Sequence, residues 1–206
     1  MLHKPAPLSG PLCRTVHKTV INSVHVIRQI TDTSCRVPVL SYDLDSGGAG
    51  QSLWIGEAVL YHCSHPSSIA LTELWLERRG DRPFPLRKDL DVLDLRAWLG
   101  SLAIYDYSAE KDNYFCRLFG ETIRRAVGTD MTRRWMSDYP DDLYQRIRGQ
   151  YDMARQQRVP LLTRFISSAM IVGEFQNNRF PAEKLILPLS RTGDAVDCFL
   201  TYSIAL

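Results

Sequence analysis

The chain reads as an α+β domain in which helices are segregated from one antiparallel sheet. Three observations predict this. Leu102–Tyr107 and Tyr114–Phe119 are aromatic-rich runs joined by the polar turn Ser108–Asn113, and so short a polar connection favours an antiparallel hairpin. The second of these runs passes through Gly120 directly into helical pattern. Three further strand candidates then close the chain, after the longest helix.

Taken in order, residues 1–65 differ from the rest. They show no period over a long window. Thr19–Ile30 and Arg36–Tyr42 hold β-branched residues and could form strands, and the run Asp45–Gly50 is a flexible linker by composition. We expect 1–65 to be a poorly ordered extension and 66–206 to be the folded domain.

From Pro66 the signals sharpen. Ser67 or Ser68 can cap a helix whose Leu71, Leu74 and Trp75 recur at helical spacing. Arg78, Arg79 and Gly80 suit its last turn and stop. Pro83 and Pro85 forbid continuation. Asp89 or Asp91 can cap a second helix that turns Leu93, Leu95, Trp98 and Leu99 inward. After the aromatic hairpin, Glu121–Val127 is a short helix ending at Gly128, with one more helical turn expected around Thr129–Tyr139, starting near Asp130 or Thr132. Asp141 and Asp142 can cap the helix Leu143–Gln157, where Leu143, Ile147, Tyr151 and Ala154 form one stripe. Val159–Pro160 ends it. Strands are expected at Leu161–Ser168, Lys184–Leu189 and Val196–Ala205, with a possible further one near Met170–Phe175. Thr192-Gly193-Asp194 is hairpin chemistry.

Composition bounds the function. With 206 residues, 45% apolar and 23% charged, the chain can build one ordinary core with an appendage. A net charge of +2 gives nothing that attracts nucleic acid or acidic lipid. The five cysteines are spread and never paired as C-x-x-C, which suits reduced thiols and a cytoplasmic protein. No run approaches the ~20 apolar residues of a membrane span, and the start carries no signal-peptide core.

Four motifs, in this order, carry a family resemblance. They are ERRGDRPFPLRKDLDVLDL (Glu77–Leu95), NYFCRLFGETI (Asn113–Ile123), GTDMT (Gly128–Thr132) and LILPLSRTGDAVD (Leu185–Asp197). Over Leu71–Leu206 the chain resembles a bacterial PAS-like family of stand-alone domains. That family usually has a Gly after the Gly-x-Asp-x-Thr element, where this chain has Arg133 and Arg134. The resemblance implies a five-stranded antiparallel sheet with short helices across one face. It also implies a sensory or regulatory role through a small molecule, a partner protein or a homodimer. It supplies no ligand and no catalytic residue.

Tyr105, Phe115, Phe119, Ile123, Trp135, Met136 and Phe165 are the expected lining of a pocket beneath the helices, or the filling of a small core. Arg117 is expected among them, because alternation puts Phe115, Arg117 and Phe119 on one strand face. It would meet an anionic ligand or pair with Asp130 or Glu121. Leu71, Leu74 and Trp75 are the expected interaction face of the first helix. Cys116 reads as a small apolar strand residue rather than a flavin-adduct thiol. The five histidines all precede residue 66, which disfavours a haem ligand. His62-Cys63-Ser64-His65 lacks a second ligand cluster for zinc. The carboxylate groups at Asp89–Asp94 and Asp138–Asp142 sit where helix caps are needed. We therefore expect no catalytic residues, no metal and no nameable cofactor. The readings left are a sensory PAS-like domain, a pure dimerisation adaptor with a filled core, and a small pocket enzyme.

Overall fold

The computed structural model describes residues 15–21, 25–31, 39–42, 52–56, 58–167 and 180–206. Strands β1 (Thr15–Ile21), β2 (His25–Thr31) and β3 (Val39–Tyr42) form an antiparallel meander in that order. Strand β3 falls within the expected stretch Arg36–Tyr42, whereas the stretch expected at Thr19–Ile30 is split between β1, which starts earlier at Thr15, and β2. The expected strand near Met170–Phe175 lies outside the described residues.

The main sheet has six antiparallel strands, in the order β4-β7-β8-β9-β5-β6. They are β4 (Ser52–Ile55), β5 (Leu102–Ser108), β6 (Asn113–Phe119), β7 (Leu161–Ser167), β8 (Phe180–Leu189) and β9 (Cys198–Ala205). Five were expected. The sixth is β4, which lies ahead of residue 66 and pairs Ile55 with Leu161 and Trp54 with Leu162 along β7. Its Leu53 and Ile55 are buried, so the core draws on residues before the expected boundary.

The helices are α1 (Ala58–His62), α2 (Pro66–Arg79), α3 (Glu121–Val127) and α4 (Asp141–Gln157). Pro66 opens α2 at a position where its missing N–H costs nothing. The cap is His65 rather than Ser67 or Ser68: its Nδ1 accepts from the Ser67 N–H at 3.1 Å. At the other end the Arg82 guanidinium takes the Arg78 and Arg79 carbonyls. The second expected helix, near Asp89–Leu99, is instead a run of tight turns with 3-10 pieces at Arg87–Asp89 and Leu99–Ser101. There Leu95 is buried while Leu93 is 70% exposed. The turn expected around Thr129–Tyr139 is a 3-10 piece at Met136–Asp138. Helix α4 starts after Pro140, and Asp141 and Asp142 stand in its first turn, favourable to its dipole, rather than as a side-chain cap.

The helices lie on both faces of the sheet. Tyr151 of α4 hydrogen-bonds Thr201 of β9, which pairs with Ile186. Ser64, just before α2, donates to Glu183 of β8. Ile186 and Glu183 are three positions apart on one strand and so point oppositely. Helix α4 covers one face, while α1, α2 and the turns that follow cover the other.

Candidate functional site

Register decides which side chains meet under α4. Tyr105 pairs across the strands with Cys116 and with Phe199, and Tyr107 with Tyr114, so all five side chains share the α4 face. Tyr151 descends among them. Its ring lies 5.2 Å from those of Tyr105 and Tyr114 and 5.3 Å from that of Phe199, in tilted and edge-on geometry. The hydroxyls are satisfied. Tyr151 and Thr201 share a 2.6 Å bond, Tyr114 donates to Asp152 Oδ1 at 2.7 Å, and Tyr105 meets Tyr139 at 3.3 Å. Burial pushes the phenols of Tyr105 and Tyr151 well above their ordinary range and that of Tyr139 up to about 12. It also pushes the Cys116 thiol up to about 12, so this cysteine is a small neutral packing residue, not a nucleophile. The centre of the α4 face is solid.

Beside this centre the same face turns polar. Thr163, Lys184 and Ser203 stand side by side on β7, β8 and β9. Two residues along from Thr201, they too face α4. The Thr163 hydroxyl and the Gln150 amide oxygen are buried with no hydrogen-bond partner. Gln150 comes from α4, on the side away from Arg148, Asp152 and Arg155. Those three reach toward the β5–β6 end: Arg148 holds Asp112, Asp152 accepts from Tyr114, and Arg155 lies over Tyr107. The Lys184 ammonium is pulled down to about 8, first by burial and then by Arg146 of α4. Buried hydrogen-bonding atoms without partners are uncommon. Two of the seven found among the described residues lie in the layer that holds the half-buried Lys184.

The expected pocket residues do not converge on one place. Tyr105 and Met136 are in the core. Phe119 pairs with Ala103, and Phe165 with Ala182, which puts both on the α4 face, Phe165 beside the polar row and Phe119 on the edge strand β6. Ile123 of α3 is half-buried. Phe115, Arg117 and Trp135 are elsewhere. A bulge in β6 falls at Arg117, so Tyr105 pairs with Cys116 but Ile104 with Leu118. The extra residue flips the alternation. Phe119 turns toward α4, while Phe115 and Arg117 turn to the other face. There Arg117 pairs with Asp106 at 2.6 Å, not with Asp130 or Glu121, and lies over the Phe115 ring. Trp135 meets that ring edge-on at 4.9 Å. Its segment extends the sheet past β6: Cys116 N–H donates to Arg134 O, and Arg133 N–H to Cys116 O. Arg133 has φ 62, the left-handed conformation, at the place where a glycine was expected.

The expected interaction face is also corrected. Leu71 and Trp75 are fully buried and Leu74 partly so. The Trp75 Nε1–H donates to Pro188 O at 2.9 Å, so this stripe seals α2 against the sheet. Nearby, Glu183 is wholly buried, accepts from Ser64 N–H at 3.0 Å and pairs with Arg164 at 3.3 Å. His62 stacks on Trp54, and Cys63 meets Thr72. The side chains of His62, Cys63 and His65 thus serve separate contacts, and among the described residues no group of three or more metal-ligating side chains gathers.

Sequence reasoning singled out none of Lys184, Thr163, Gln150 or Tyr151 as site residues. A lysine inside the apolar run AEKLILPL was the available signal for the first.

A family model described as PAS domain matches residues 63–202. No curated protein and no solved structure gives a significant match. The match covers about two thirds of the chain, and the chain belongs to the PAS domain family. Its domains serve sensory, regulatory or interaction roles. No described helix is long and apolar enough to cross a membrane.

Proposed function

We propose that this PAS-family chain is a regulatory sensor. It takes a small anion between α4 and strands β7, β8 and β9 of the sheet and passes its state to a partner protein, in the cytoplasm. The observation that carries this reading is the pair of buried, partnerless atoms, Thr163 Oγ1 and Gln150 Oε1, on the face that holds Lys184. Lys184 would supply the charge, Thr163 and Ser203 hydroxyl contacts, and Gln150 an acceptor for a donor group on the ligand. Phe165, two residues from Thr163 along β7, would flank the guest with apolar surface. A guest there would press on α4, whose packing is fixed by the Tyr151–Thr201 and Tyr114–Asp152 bonds, and so shift the helix layer. No catalytic step belongs to this reading. The free thiols of Cys63, Cys116 and Cys198 suit a reducing compartment.

The test is a thermal-shift and calorimetric screen of the full chain against small dicarboxylates, hydroxy acids and phosphate, none of which carries an apolar tail. A ligand at a hundred times its Kd stabilises by about 2.7 kcal/mol, or roughly 5–11 °C for a chain of this size. Lys184→Met should abolish the shift. A screen with no stabilising anion, or a Lys184→Met variant that responds as the wild type does, would reject the sensor reading.

The ring-filled centre favours a second reading, a pure dimerisation or interaction adaptor. It expects no ligand response, but a stable complex with a second copy or another protein that survives Lys184→Met.

A further inference from the structure

A cleft of about 130 Å³ lies away from the α4 face, at the end of the sheet where α1 and α2 meet the α4–β7 turn. Its wall is apolar, formed by Leu60, Trp75, Leu76, Val159 and Pro160. Two guanidinium groups, Arg79 and Arg158, line it as well. Cations beside apolar surface are ordinary when they are spoken for. These two are not: neither forms an ion pair among the described residues.

The usual tasks of such arginines are otherwise filled. The C-terminal carbonyls of α2 that Arg79 could serve are taken by Arg82. Arg79 lies 5.7 Å from the Trp75 ring centroid, and its Nε–H is buried without a partner. Arg158 lies 5.0 Å from the Phe84 ring centroid and gives one long bond, 3.3 Å, to Asp194 O. Arg158 also holds φ 60 at the end of α4, a left-handed position that glycine fills without strain. A side chain kept where glycine would be easier points to a task for that side chain.

Two like charges beside one apolar cleft repel each other, and a carboxylate between them would relieve that repulsion with charge-assisted hydrogen bonds. The volume suits a short chain or a single ring rather than a nucleotide or sugar. We infer that this cleft binds a small carboxylate with a short apolar tail, its head on Arg79 and Arg158 and its tail against Trp75 and Leu76. The site shares no residue with the polar row under α4.

The probes are hexanoate and benzoate, with hexanol as the uncharged control, titrated into the full chain by calorimetry and by 1H–15N NMR. Binding should be seen for the two acids, with shifts at residues 72–79 and 158–159, and be at least tenfold weaker for hexanol. Arg79→Gln should weaken hexanoate at least tenfold. Arg158→Gly should also weaken it, yet raise the thermal midpoint, because glycine relieves the left-handed backbone. That opposite pairing separates lost binding from lost folding. Lys184→Met should leave hexanoate binding here unchanged. No binding of either acid at millimolar concentration would overturn the inference. So would equal binding of hexanol, or wild-type affinity in both arginine variants.

Discussion

The corner where β6 becomes α3 gives a sharp test, because one substitution made at two glycines should act with opposite sign. Gly120 has φ −64, a conformation open to any residue, so backbone strain does not require glycine there. Space does. A Cβ at Gly120 would stand 2.3 Å from Gly100 O and 2.5 Å from Leu99 O. That is roughly 1 Å inside ordinary contact. The obstructing atoms are backbone, so no side-chain rotation removes the clash. The Gly120 N–H is bonded to Leu102 O at 2.8 Å, which pins the corner against retreat. Gly120→Ala must therefore open β6 and α3 away from the Leu99–Ser101 turn. Overpacking costs about 1–3 kcal/mol, and a clash with main chain belongs at the upper end. At about 2–4 °C per kcal/mol, the midpoint should fall by roughly 6–12 °C. Gly149 stands inside α4, and nothing lies within 4 Å of an added Cβ. Gly149→Ala removes the entropy penalty of a helical glycine, a gain of about 0.8–1 kcal/mol, and should raise the midpoint by roughly 2–4 °C. Calorimetric scans of both variants beside the wild type read the answer. A Gly120→Ala midpoint within 2 °C of wild type would refute the close approach of Gly120 to Gly100.

Other expectations follow from the buried groups. Lys184 ionises at about 8 when folded against 10.5 ordinarily. At this group the unfolded chain then binds more protons between those values, so Lys184 contributes a rise in stability as pH climbs from about 8 to 10.5, opposite in sign to buried thiols such as Cys116, and the comparison with a variant isolates it. Urea midpoints across that range should lose this rise in Lys184→Met, which should also be the more stable protein at pH 7. Trp75→Ala removes a fully buried indole and should cost about 3–5 kcal/mol. The loss should be independent of protein concentration with sedimentation unchanged, since the residue seals the core rather than an interface. Tyr151→Phe leaves the Thr201 hydroxyl without its partner and should cost about 1–2 kcal/mol. Adding Thr201→Val should recover part of that cost in a double-mutant cycle.

The sequence carried the parts of the fold that repeat. The aromatic hairpin, the long helix and the strands that follow it were legible because their periods run over several turns or pleats. What it hid were single-residue and long-range events. One extra residue at Arg117 reverses the parity of β6, and no pattern of seven residues announces a bulge. Strand β4 is four residues long and owes its place to β7, over a hundred positions away. The turns after Pro85 hold the caps and apolar spacing of a helix, yet tertiary packing wins. Trp98 is drawn to donate its indole N–H to Ser67 O, and Arg78 holds Asp94 at 3.1 Å.

The candidate site was harder to read for a reason of the same kind. The spacing of Leu71, Leu74 and Trp75 shows that a stripe is apolar but is silent about what covers it; the back of the sheet does. Lys184 follows Glu183 directly, and the two charges look like a solvated strand end. In the fold they point to opposite faces. Glu183 is buried below the start of α2 with Arg164 as counter-ion, and Lys184 lies beneath α4 in a row with Thr163. Burying consecutive opposite charges in separate layers is costly unless each is satisfied. Glu183 has its arginine. Both layers hold buried hydrogen-bonding atoms with no protein partner, Glu183 Oε1 and Ser68 Oγ on the α2 side and Thr163 Oγ1 and Gln150 Oε1 on the α4 side. Glu183 has a counter-ion, however, while Lys184 has none among the described residues, and that difference points to an anion on the α4 side.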